Sequence, residues 1–389
     1  MKREERPSLL LVANYPSDVG YAWWLMESFW VKLAGKYSRN LPVLLAYPKL
    51  TVVPLAIENA PLQSIEFDLS KRCVVEVIKH YTFLRKHRVK AIYFSDMATW
   101  HWCYIIYRFA GVRLIITHDH TPGTRPPVSG WKRLVKNIIN RIAWVSVDGA
   151  IGATDFVQQR LVNVGCVPAW KCYSAPNGLP SVDLQTEPAN LHNLFKVPKE
   201  RKILVMTGRA HRYKGIEFVL QCMRSYHSAG NNDLQFLFFG DGPDLKHFEK
   251  RAKELGCSEF CSFPGRRPDI PSLLEGADIA IHPSQGEVGY SLSILEYMRA
   301  GLPVLVPDNP SVCGATMHNK TGIVYPQDDI ETATSELCRL SSNQELRRSL
   351  GDAARLAVKK FRLGDTHQAL LQAFTEIDKR RVLMPSRDC

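Results

Sequence analysis

Long hydrophobic runs are missing from this sequence of 389 residues. The first apolar run, Leu9 to Ala13, is shorter than the core of a signal peptide and much shorter than a membrane span. The most apolar later region, residues 100–117, is interrupted by Arg108 and Arg113, as in a buried helix followed by a buried strand. Repeats of fixed period and low-complexity tracts are missing too. We therefore expect a globular protein without a transmembrane helix, and neither a solenoid nor a disordered scaffold.

Cysteine pairs with the spacing of metal ligands are also missing. The ten cysteines are scattered through the chain with no CxxC pair. The nearest two, Cys257 and Cys261, have no second pair nearby that would complete a zinc site. We expect reduced structural thiols, no metal, and a location in the cytoplasm.

Acidic residues are fewer than basic ones, 38 against 50, so the net charge is +12. Such a charge attracts nucleic acid, anionic lipid or phosphorylated small molecules. No recognised nucleic-acid module is visible, so we expect no nucleic-acid partner. The densest basic segment, Trp131–Trp144, has helical periodicity, and its apolar residues at 131, 134, 135, 138, 139 and 142 form one face. It is either a surface helix packed on its own domain or a helix that contacts an anionic membrane, which would make the protein peripheral at the inner face.

Short apolar runs rich in β-formers alternate with helical stretches along the chain, which predicts an α/β protein with parallel sheets. The length suggests about two domains. A turn at Pro176–Pro180 and a polar stretch after it separate two series of strands. We therefore expect an N-terminal Rossmann-like domain over residues 1–180, a C-terminal one over 181–361, and a C-terminal helix with a frayed tail over 362–389.

The loop after the predicted strand Lys202–Thr207 has the chemistry of a diphosphate site. Gly208 ends the strand, Arg209 and Lys214 supply two cations, and the next helix begins after Gly215. Cations, backbone N–H groups and a helix dipole together favour phosphate oxygens. The loop lacks the Walker spacing and the GxGxxG pattern, and the alternative is a basic loop at a domain surface.

Two further loops follow predicted strands. In the first, Gly240 and Asp241 precede a helix, and Asp241 is either a ligand-binding residue or only the helix cap. The second loop contains Gly286 and Gly289, which let the backbone approach a ligand closely. Three residues of this loop should begin the next helix, where free N–H groups receive phosphate: Tyr290, Ser291 and Leu292.

Two glutamates flank the start of that helix. Glu296 should lie on the helix, where its carboxylate can accept hydrogen bonds from the two vicinal hydroxyls of a ribose. Glu287 is either a ligand-binding residue or a glutamate that interacts with the helix dipole.

These loops resemble those of the retaining nucleotide-sugar glycosyltransferases of family four, which have the GT-B fold of two Rossmann-like domains facing each other across a cleft. The resemblance covers nearly the whole chain and is strongest in the C-terminal half. The motifs that carry it, in the family's order, are Gly208-Arg209 with Lys214-Gly215, Gly240-Asp-Gly-Pro243, Phe263-Pro-Gly265, Ala277-Asp-Ile-Ala-Ile-His-Pro-Ser284, Glu287 through Leu295-Glu296-Tyr-Met298, Ala300-Gly-Leu-Pro-Val304 and Thr321-Gly322.

The resemblance implies a role for each matching residue. Arg209 and Lys214 would bind the donor diphosphate, Glu296 the ribose, and Glu287 the transferred sugar. Backbone near Gly265 and Arg266 would hold the base. In the N-terminal domain, Gly20 would take the place of the family's glycine-rich loop, and His118 would face the sugar. The C-terminal helix would pack back on the N-terminal domain.

The sequence departs from the family pattern in two places. Eight residues separate Glu287 from Glu296, where the family usually has seven. On one continuous helix an offset of nine residues turns about 900° and puts the side chains on opposite faces. Both can reach one ligand only if Glu287 lies in the loop before the helix, with Gly289 absorbing the extra residue. The loop after the first strand, Tyr15–Tyr21, has one glycine where many members have two adjacent ones.

The implied reaction moves a sugar from a UDP- or GDP-sugar to an acceptor hydroxyl with retention of configuration, in the synthesis of a glycan, polysaccharide or glycolipid. The donor and a glycan or lipid-linked acceptor would be the partners, and the cations would make a metal or other cofactor unnecessary. The alternatives are a sugar-nucleotide epimerase or hydrolase on the same fold, and a catalytically silent GT-B binding protein.

Overall fold

The computed structural model describes residues 6–18, 24–181 and 187–383. The chain divides into two compact units. The N-terminal unit comprises the residues up to Thr121, Arg125–Pro176 and the chain from Gly364 onward. The C-terminal unit comprises Asn177–Leu363 and the short segment Pro122–Thr124.

The N-terminal unit is built on a parallel sheet of seven strands, in the order β3-β2-β1-β4-β5-β6-β7, within the described residues. The strands are β1 (Ser8–Val12), β2 (Val43–Tyr47), β3 (Gln63–Glu66), β4 (Val89–Ser95), β5 (Leu114–Asp119), β6 (Gly149–Gly152) and β7 (Cys172–Ser174). The helices of this part of the chain are α1 (Trp24–Tyr37), α2 (Leu55–Glu58), α3 (Val74–Lys86), α4 (Cys103–Phe109), α5 (Gly130–Ile139) and α6 (Asp155–Asn163).

The C-terminal unit has a second parallel sheet, whose six described strands run in the order β10-β9-β8-β11-β12-β13. The strands are β8 (Lys202–Thr207), β9 (Leu234–Phe239), β10 (Cys261–Gly265), β11 (Ile279–Ile281), β12 (Val304–Pro307) and β13 (Gly322–Tyr325). The helices are α7 (Leu191–Phe195), α8 (Ile216–Ser228), α9 (Leu245–Glu254), α10 (Ile270–Glu275), α11 (Leu292–Ala300), α12 (Ile330–Ser342) and α13 (Gln344–Ala357). The last helix, α14 (Leu363–Leu383), returns to the N-terminal unit.

The central strands read as continuous apolar runs because helices cover both faces of each sheet. Every residue of β9 is buried, as is every residue of β1 and β2. The helices that cover the sheets bury one face each: α8 buries Ile216, Val219, Leu220 and Met223, at spacings of three and four residues. This pattern confirms the predicted α/β class with two Rossmann-like parallel sheets.

The helix α14 packs on the N-terminal unit. The hydroxyl of Thr366 donates to the carbonyl of Pro176 at 2.6 Å, and the ring of Phe374 contacts Tyr37. Gly149 gives room to Ile377 of this helix, because a Cβ at Gly149 would lie 2.2 Å from the Ile377 side chain. The last six residues of the predicted tail, 384–389, lie outside the described residues.

The helix α5 contacts its own unit but leaves its apolar face exposed. Arg133 and Lys136 donate to the carbonyls of Asn163 and Val164, while no residue of α5 is fully buried. The exposed apolar side chains of the segment are Trp131, Leu134, Val135, Ile138, Ile142 and Trp144. None of the helices in residues 6–18, 24–181 and 187–383 combines the length and the apolarity needed to cross a membrane.

Candidate functional site

The strand order of the C-terminal sheet reverses between β8 and β11. The chain moves outward from β8 through β9 to β10, and then crosses to β11 on the other side of β8. Loops after β8 and β11 therefore diverge at the carboxyl edge and leave a crevice, the position where open α/β sheets bind ligands. The predicted diphosphate loop and the two predicted glutamates follow these two strands.

The loop after β8 carries the two predicted cations in different environments. Arg209 is exposed, whereas the Lys214 side chain is only 13% exposed. Lys214 ends a short 3-10 helix, and Gly215 then adopts a left-handed conformation with φ of 80°. A Cβ at Gly215 would lie 2.2 Å from the carbonyl oxygen of Pro283, so only glycine lets the loops after β8 and β11 pack this closely.

Lys214, Glu287 and His282 form a buried polar cluster. The Lys214 Nζ lies 2.5 Å from the Glu287 Oε1, and the His282 Nε2 lies 3.0 Å from the same oxygen. Burial acts to raise the pKa of Glu287, but the charge of Lys214 and the hydrogen bond with His282 outweigh it, so the pKa is well below its usual value. Burial acts to lower the pKa of Lys214, and Glu287 outweighs it in turn, so the pKa is raised. At neutral pH the pair is therefore a carboxylate and an ammonium.

Glu287 lies in the loop before α11, four residues ahead of the N-cap Ser291. This placement meets the geometric condition for the wider glutamate spacing. Gly289, with φ of 109°, makes the turn, and its N–H donates to the Ser311 carbonyl at 2.7 Å. Ser311 also holds the loop through its hydroxyl, which accepts from the Glu287 N–H at 3.3 Å.

The first turn of α11 is capped by one side chain and leaves two backbone N–H groups without an acceptor among the described residues. The Ser291 hydroxyl accepts from the Ile294 N–H at 3.2 Å, which satisfies one of the free donors of the first turn. The N–H groups of Leu292 and Ser293 have no protein acceptor in the described part of the chain. Tyr290 does not turn its side chain outward: it is buried, and its hydroxyl donates to the Asn177 carbonyl at 3.0 Å. Its predicted contribution to phosphate binding is thus limited to the backbone.

Glu296 lies one turn further along α11. Its carboxylate has no hydrogen-bond partner among the described residues. Burial raises its pKa to about 7, and only Arg299 opposes the shift. Nearby, Tyr297 fixes the helix to the sheet, because its hydroxyl accepts from the N–H of Thr207 at 2.6 Å. Glu296 is therefore a partly protonated carboxyl at neutral pH, held on a rigid element.

The loops after β9 and β10 complete the same edge. The Gly240 N–H donates to the Gly265 carbonyl at 3.0 Å, and a Cβ at Gly240 would collide with the Gly208 carbonyl. Asp241 is exposed and does not cap α9, whose N-cap is Asp244. Gly265 has φ of 78° with open space around it, and Arg266 beside it is exposed. The structure thus brings the predicted donor residues to one edge of one sheet, from neighbouring strands.

Two of the predicted residues belong to the N-terminal unit, Gly20 and His118. Gly20 lies outside the described residues. His118, the fifth residue of β5, is fully buried, and burial holds its pKa well below the usual range. Its Nδ1 lies 2.6 Å from the Tyr93 hydroxyl, and its Nε2 has no hydrogen-bond partner in the described part of the chain. The imidazole is therefore neutral, and its contact with the sugar stays a prediction.

Three polar residues near these sites are absent from the sequence-based assignments. His282 and Ser311 support Glu287. His282 comes directly after β11, which is the signal that would have found it, whereas Ser311 lies four residues beyond the end of β12. Asp96 follows β4 in the N-terminal unit with φ of 55°. Its carboxylate accepts from the His120 N–H at 2.5 Å and from the Asn14 side chain at 3.3 Å, across the point where the order of the N-terminal sheet reverses.

Two Rossmann-like units with a cationic loop and a helix N-terminus at one sheet edge define a protein of the GT-B class. Residues 190–357 match the family model of the glycosyl transferases group 1. Lipopolysaccharide glucosyltransferase WaaG of Escherichia coli (strain K12) is 30% identical over 119 residues, which are 30% of either protein. Matches to three other curated relatives cover 44%, 15% and 47% of those proteins, so the chain spans less than half the length of each.

Solved structures resemble the chain over nearly its full length. A glycosyltransferase from Rickettsia africae ESF-5 aligns with a TM-score of 0.73 at 16% identity, covering 96% of this chain and 99% of that one. Anabaena Alr3699/HepE, solved in complex with UDP and glucose, aligns with a TM-score of 0.69 at 15% identity, covering 95% and 99%. At these identities the likeness concerns the fold.

Proposed function

We propose that this protein transfers a sugar from a nucleoside diphosphate sugar to an acceptor hydroxyl, with retention of the anomeric configuration. The observation that carries the proposal is the grouping of Arg209, Lys214 and the free N–H groups of α11 at the edge where the C-terminal sheet reverses its order. Cations and a helix N-terminus are the groups that bind a diphosphate. The Anabaena neighbour, solved with UDP and glucose, supports a UDP-sugar as the first candidate donor.

The proposed donor position assigns one role to each residue. Arg209, Lys214 and the first turn of α11 bind the diphosphate, and Glu296 accepts hydrogen bonds from the ribose. Backbone at Gly265 and Arg266 holds the base. Glu287, which stays ionised because of Lys214, accepts hydrogen bonds from hydroxyls of the transferred sugar. A carboxylate with so low a pKa is unsuited to act as a general acid.

In the reaction, the bond between the anomeric carbon and the diphosphate oxygen breaks, and a bond to the acceptor oxygen forms on the same face. The acceptor proton passes to the departing diphosphate. Negative charge grows on that diphosphate, and Arg209, Lys214 and the α11 dipole stabilise it in place before the reaction begins. Because these groups supply the positive charge, we propose that no metal is needed, and activity in the presence of a chelator tests this.

A thermal-shift screen against UDP-, GDP-, ADP- and dTDP-sugars is the first test, because a ligand that binds the folded state raises the melting temperature. We expect one nucleotide series to respond, and no response to any of them would contradict the proposal. Donor turnover then separates the alternatives: an epimerase or hydrolase consumes donor without an acceptor, and a silent binding protein consumes none. The anomeric proton of the product, observed by NMR, tests retention.

We propose that the acceptor is a glycan or glycolipid and that the reaction takes place at an anionic membrane surface on the cytoplasmic side. The WaaG relative acts on lipopolysaccharide by its name. The nine cysteines of the described residues are all free, which suits a reducing compartment. The helix α5 carries exposed apolar side chains, with Trp131 at 71% and Ile138 at 52%, next to lysine and arginine. Binding to anionic but not to neutral vesicles at low salt is the expected result.

A further inference from the structure

The N-terminal unit contains a cavity beside α5 that the proposed reaction does not use. Its volume is about 350 Å³, and it lies between the loop after β5, the helix α5 and the helix α6. Cationic and apolar side chains line it together with one acid; those that matter here are Arg125, Lys136, Arg160, Asp119, Val128 and Leu161. The volume falls within the range of sites for small ligands.

One cation at the bottom of the cavity is neutralised. Arg160 is buried and forms an ion pair with Asp119 at 3.1 Å, and it donates to the carbonyl of Thr121 at 2.7 Å. This ion pair fixes the loop after β5 against α6. Arg160 therefore forms part of the cavity wall, and the carboxylate of Asp119 largely neutralises its charge.

The two other cations keep their charge. Among the described residues, Arg125, which is exposed, donates only to the Thr121 hydroxyl at 3.3 Å, and Lys136 donates only to the Val164 carbonyl at 3.3 Å. No carboxylate in the described ranges forms an ion pair with either. The surrounding sequence adds to the effect, because residues 120–147 include five lysines and arginines and no aspartate or glutamate. The cavity therefore has an excess of positive charge.

The cavity adjoins the exposed apolar face of α5. Lys136 lines the cavity, and Leu134, Val135 and Ile138, its neighbours on the same helix, are exposed. A molecule that presents acyl or prenyl chains to this face can therefore place a polar end at Lys136 and Arg125. An amphiphile with an anionic head group matches both the cationic cavity and the exposed apolar face of α5.

We propose that this cavity binds the terminal phosphate of a membrane lipid, with Arg125 and Lys136 donating to the phosphate oxygens and Val128 and Leu161 contacting the part of the lipid next to it. The inference rests on the proposed binding of the protein to an anionic membrane. It adds a defined binding site for one lipid head group to the general attraction between the basic segment and anionic lipids. A terminal phosphate has three free oxygens, which suits an arginine and a lysine donating together.

Vesicle binding by matched variants tests the site. Wild-type protein is titrated with phosphatidylcholine vesicles that contain phosphatidic acid or phosphatidylglycerol at equal total negative charge. We expect about tenfold tighter binding to phosphatidic acid, as for one charge-assisted hydrogen-bonded contact. Arg125→Gln should abolish this preference. Lys132→Gln, which removes an equal charge from the same helix region outside the cavity, should weaken binding to both vesicles and keep the preference.

A variant that leaves all charges in place tests the cavity itself. Val128→Phe fills the space from an exposed loop, and its melting temperature shows whether the fold is kept. We expect it to lose the preference for phosphatidic acid as Arg125→Gln does. If the melting temperature falls, glycerol 3-phosphate titrated into wild-type and Arg125→Gln protein by NMR gives the same comparison, with weak binding expected for the wild type alone.

Three results would overturn the inference. If wild-type protein binds both vesicles equally, and Arg125→Gln behaves as Lys132→Gln, the membrane surface stands and the phosphate site does not. If glycerol 3-phosphate binds as tightly as the vesicles that carry phosphatidic acid, the ligand is a soluble phosphate compound and not a lipid. If no vesicle binds, both the site and the membrane surface fail, while the donor screen remains a separate test of the transferase proposal.

Discussion

Glu287 and Glu296 follow the same strand, β11, yet the pKa values of their carboxyl groups are shifted in opposite directions. Lys214 and His282 stabilise the charge of Glu287 in spite of burial, so its pKa is lowered. Glu296 is removed from water without a cation in contact, so its pKa rises to about 7. The difference between the two pKa values arises because Glu287 has two partners, Lys214 at 73 residues away in the chain and His282 at five residues away. Each glutamate therefore has a distinct experimental signature.

Because the pKa of Glu296 is raised in the folded chain, ionisation of this carboxyl destabilises the fold. Since the folded chain holds a proton that the unfolded chain releases between pH about 4.5 and about 7, the free energy of unfolding falls as pH rises through this interval. The loss is about 3 kcal/mol at most. We expect Glu296→Gln to be more stable than the wild type above pH 7, and equal to it near pH 4, by urea denaturation.

The same substitution should weaken the donor site. An ionised carboxylate accepts both ribose hydroxyls, and a neutral amide does so less strongly, so the dissociation constant for the donor nucleotide should rise about tenfold. In the wild type the affinity should fall as pH drops below 7. Glu249→Gln, at an exposed position of α9, is the control and should change neither stability nor affinity. A variant that loses affinity without gaining stability would contradict the assignment of burial as the cause.

Lys214 and Arg209 should separate stability from binding. Lys214→Met leaves the Glu287 carboxylate buried without its cation, which should cost about 3 to 5 kcal/mol of unfolding free energy. Arg209→Met, at an exposed position of the same loop, should cost less than about 0.5 kcal/mol. Both should weaken binding of the donor diphosphate. Lys214→Met/Glu287→Gln should recover part of the stability, and failure to do so would mean that the ion pair is not the origin of the loss.

At the scale of elements, α11 and α6 each begin at an N-cap residue whose hydroxyl accepts a hydrogen bond from a backbone N–H of the first turn. Ser291→Ala removes the acceptor of the Ile294 N–H, and Thr154→Ala removes that of the Val157 N–H. Each should cost about 1 kcal/mol in denaturant unfolding. Only Ser291→Ala should also reduce donor affinity, by about threefold to tenfold, because the first turn of α11 receives the diphosphate. Equal donor affinity in both variants would place the diphosphate elsewhere.

Elements with strong apolar patterns could be predicted from the sequence, and weakly patterned ones could not. The apolar run Val43–Tyr47 forms β2, and the amphipathic stretch Val74–Lys86 forms α3. The edge strands β3 and β13 were not predicted. The residues of β3, Gln63–Glu66, are exposed or half-buried and alternate poorly, because an edge strand is covered on fewer sides.

The candidate site was predictable in its loops and not in its pairings. A glycine or a cation directly after a strand indicates the carboxyl edge of a sheet, which is how Gly208, Arg209 and Gly240 could be assigned. Whether Lys214 contacts Glu287 depends on the approach of two loops, and this approach rests on Gly215 and Pro283. Local sequence has no signal for such a contact, because the two residues are brought together only by the parallel pairing of β8 with β11.

At the scale of the whole molecule, the net charge of +12 poses the question of whether membrane attraction is general or local. If it is general, removing three positive charges anywhere should weaken vesicle binding equally. If it depends on the segment Trp131–Trp144, only charges there should matter. We expect the local result, because the exposed apolar face of α5 lets that segment enter the interface and brings its cations to the lipid head groups.

Two triple variants with the same net charge decide this. Lys132→Gln/Arg133→Gln/Arg141→Gln removes charges beside the apolar face, and Lys246→Gln/Lys250→Gln/Lys253→Gln removes as many from the exposed face of α9. At about 1 kcal/mol for each cation near the surface, the first should weaken binding to anionic vesicles by about a hundredfold, and the second by less than about twofold. Equal losses would show that the total charge, and not α5, carries the attraction. Raised salt should reduce wild-type binding to anionic vesicles without abolishing it, because salt does not screen the apolar contribution. Ile138→Gln should remove the binding that remains at high salt.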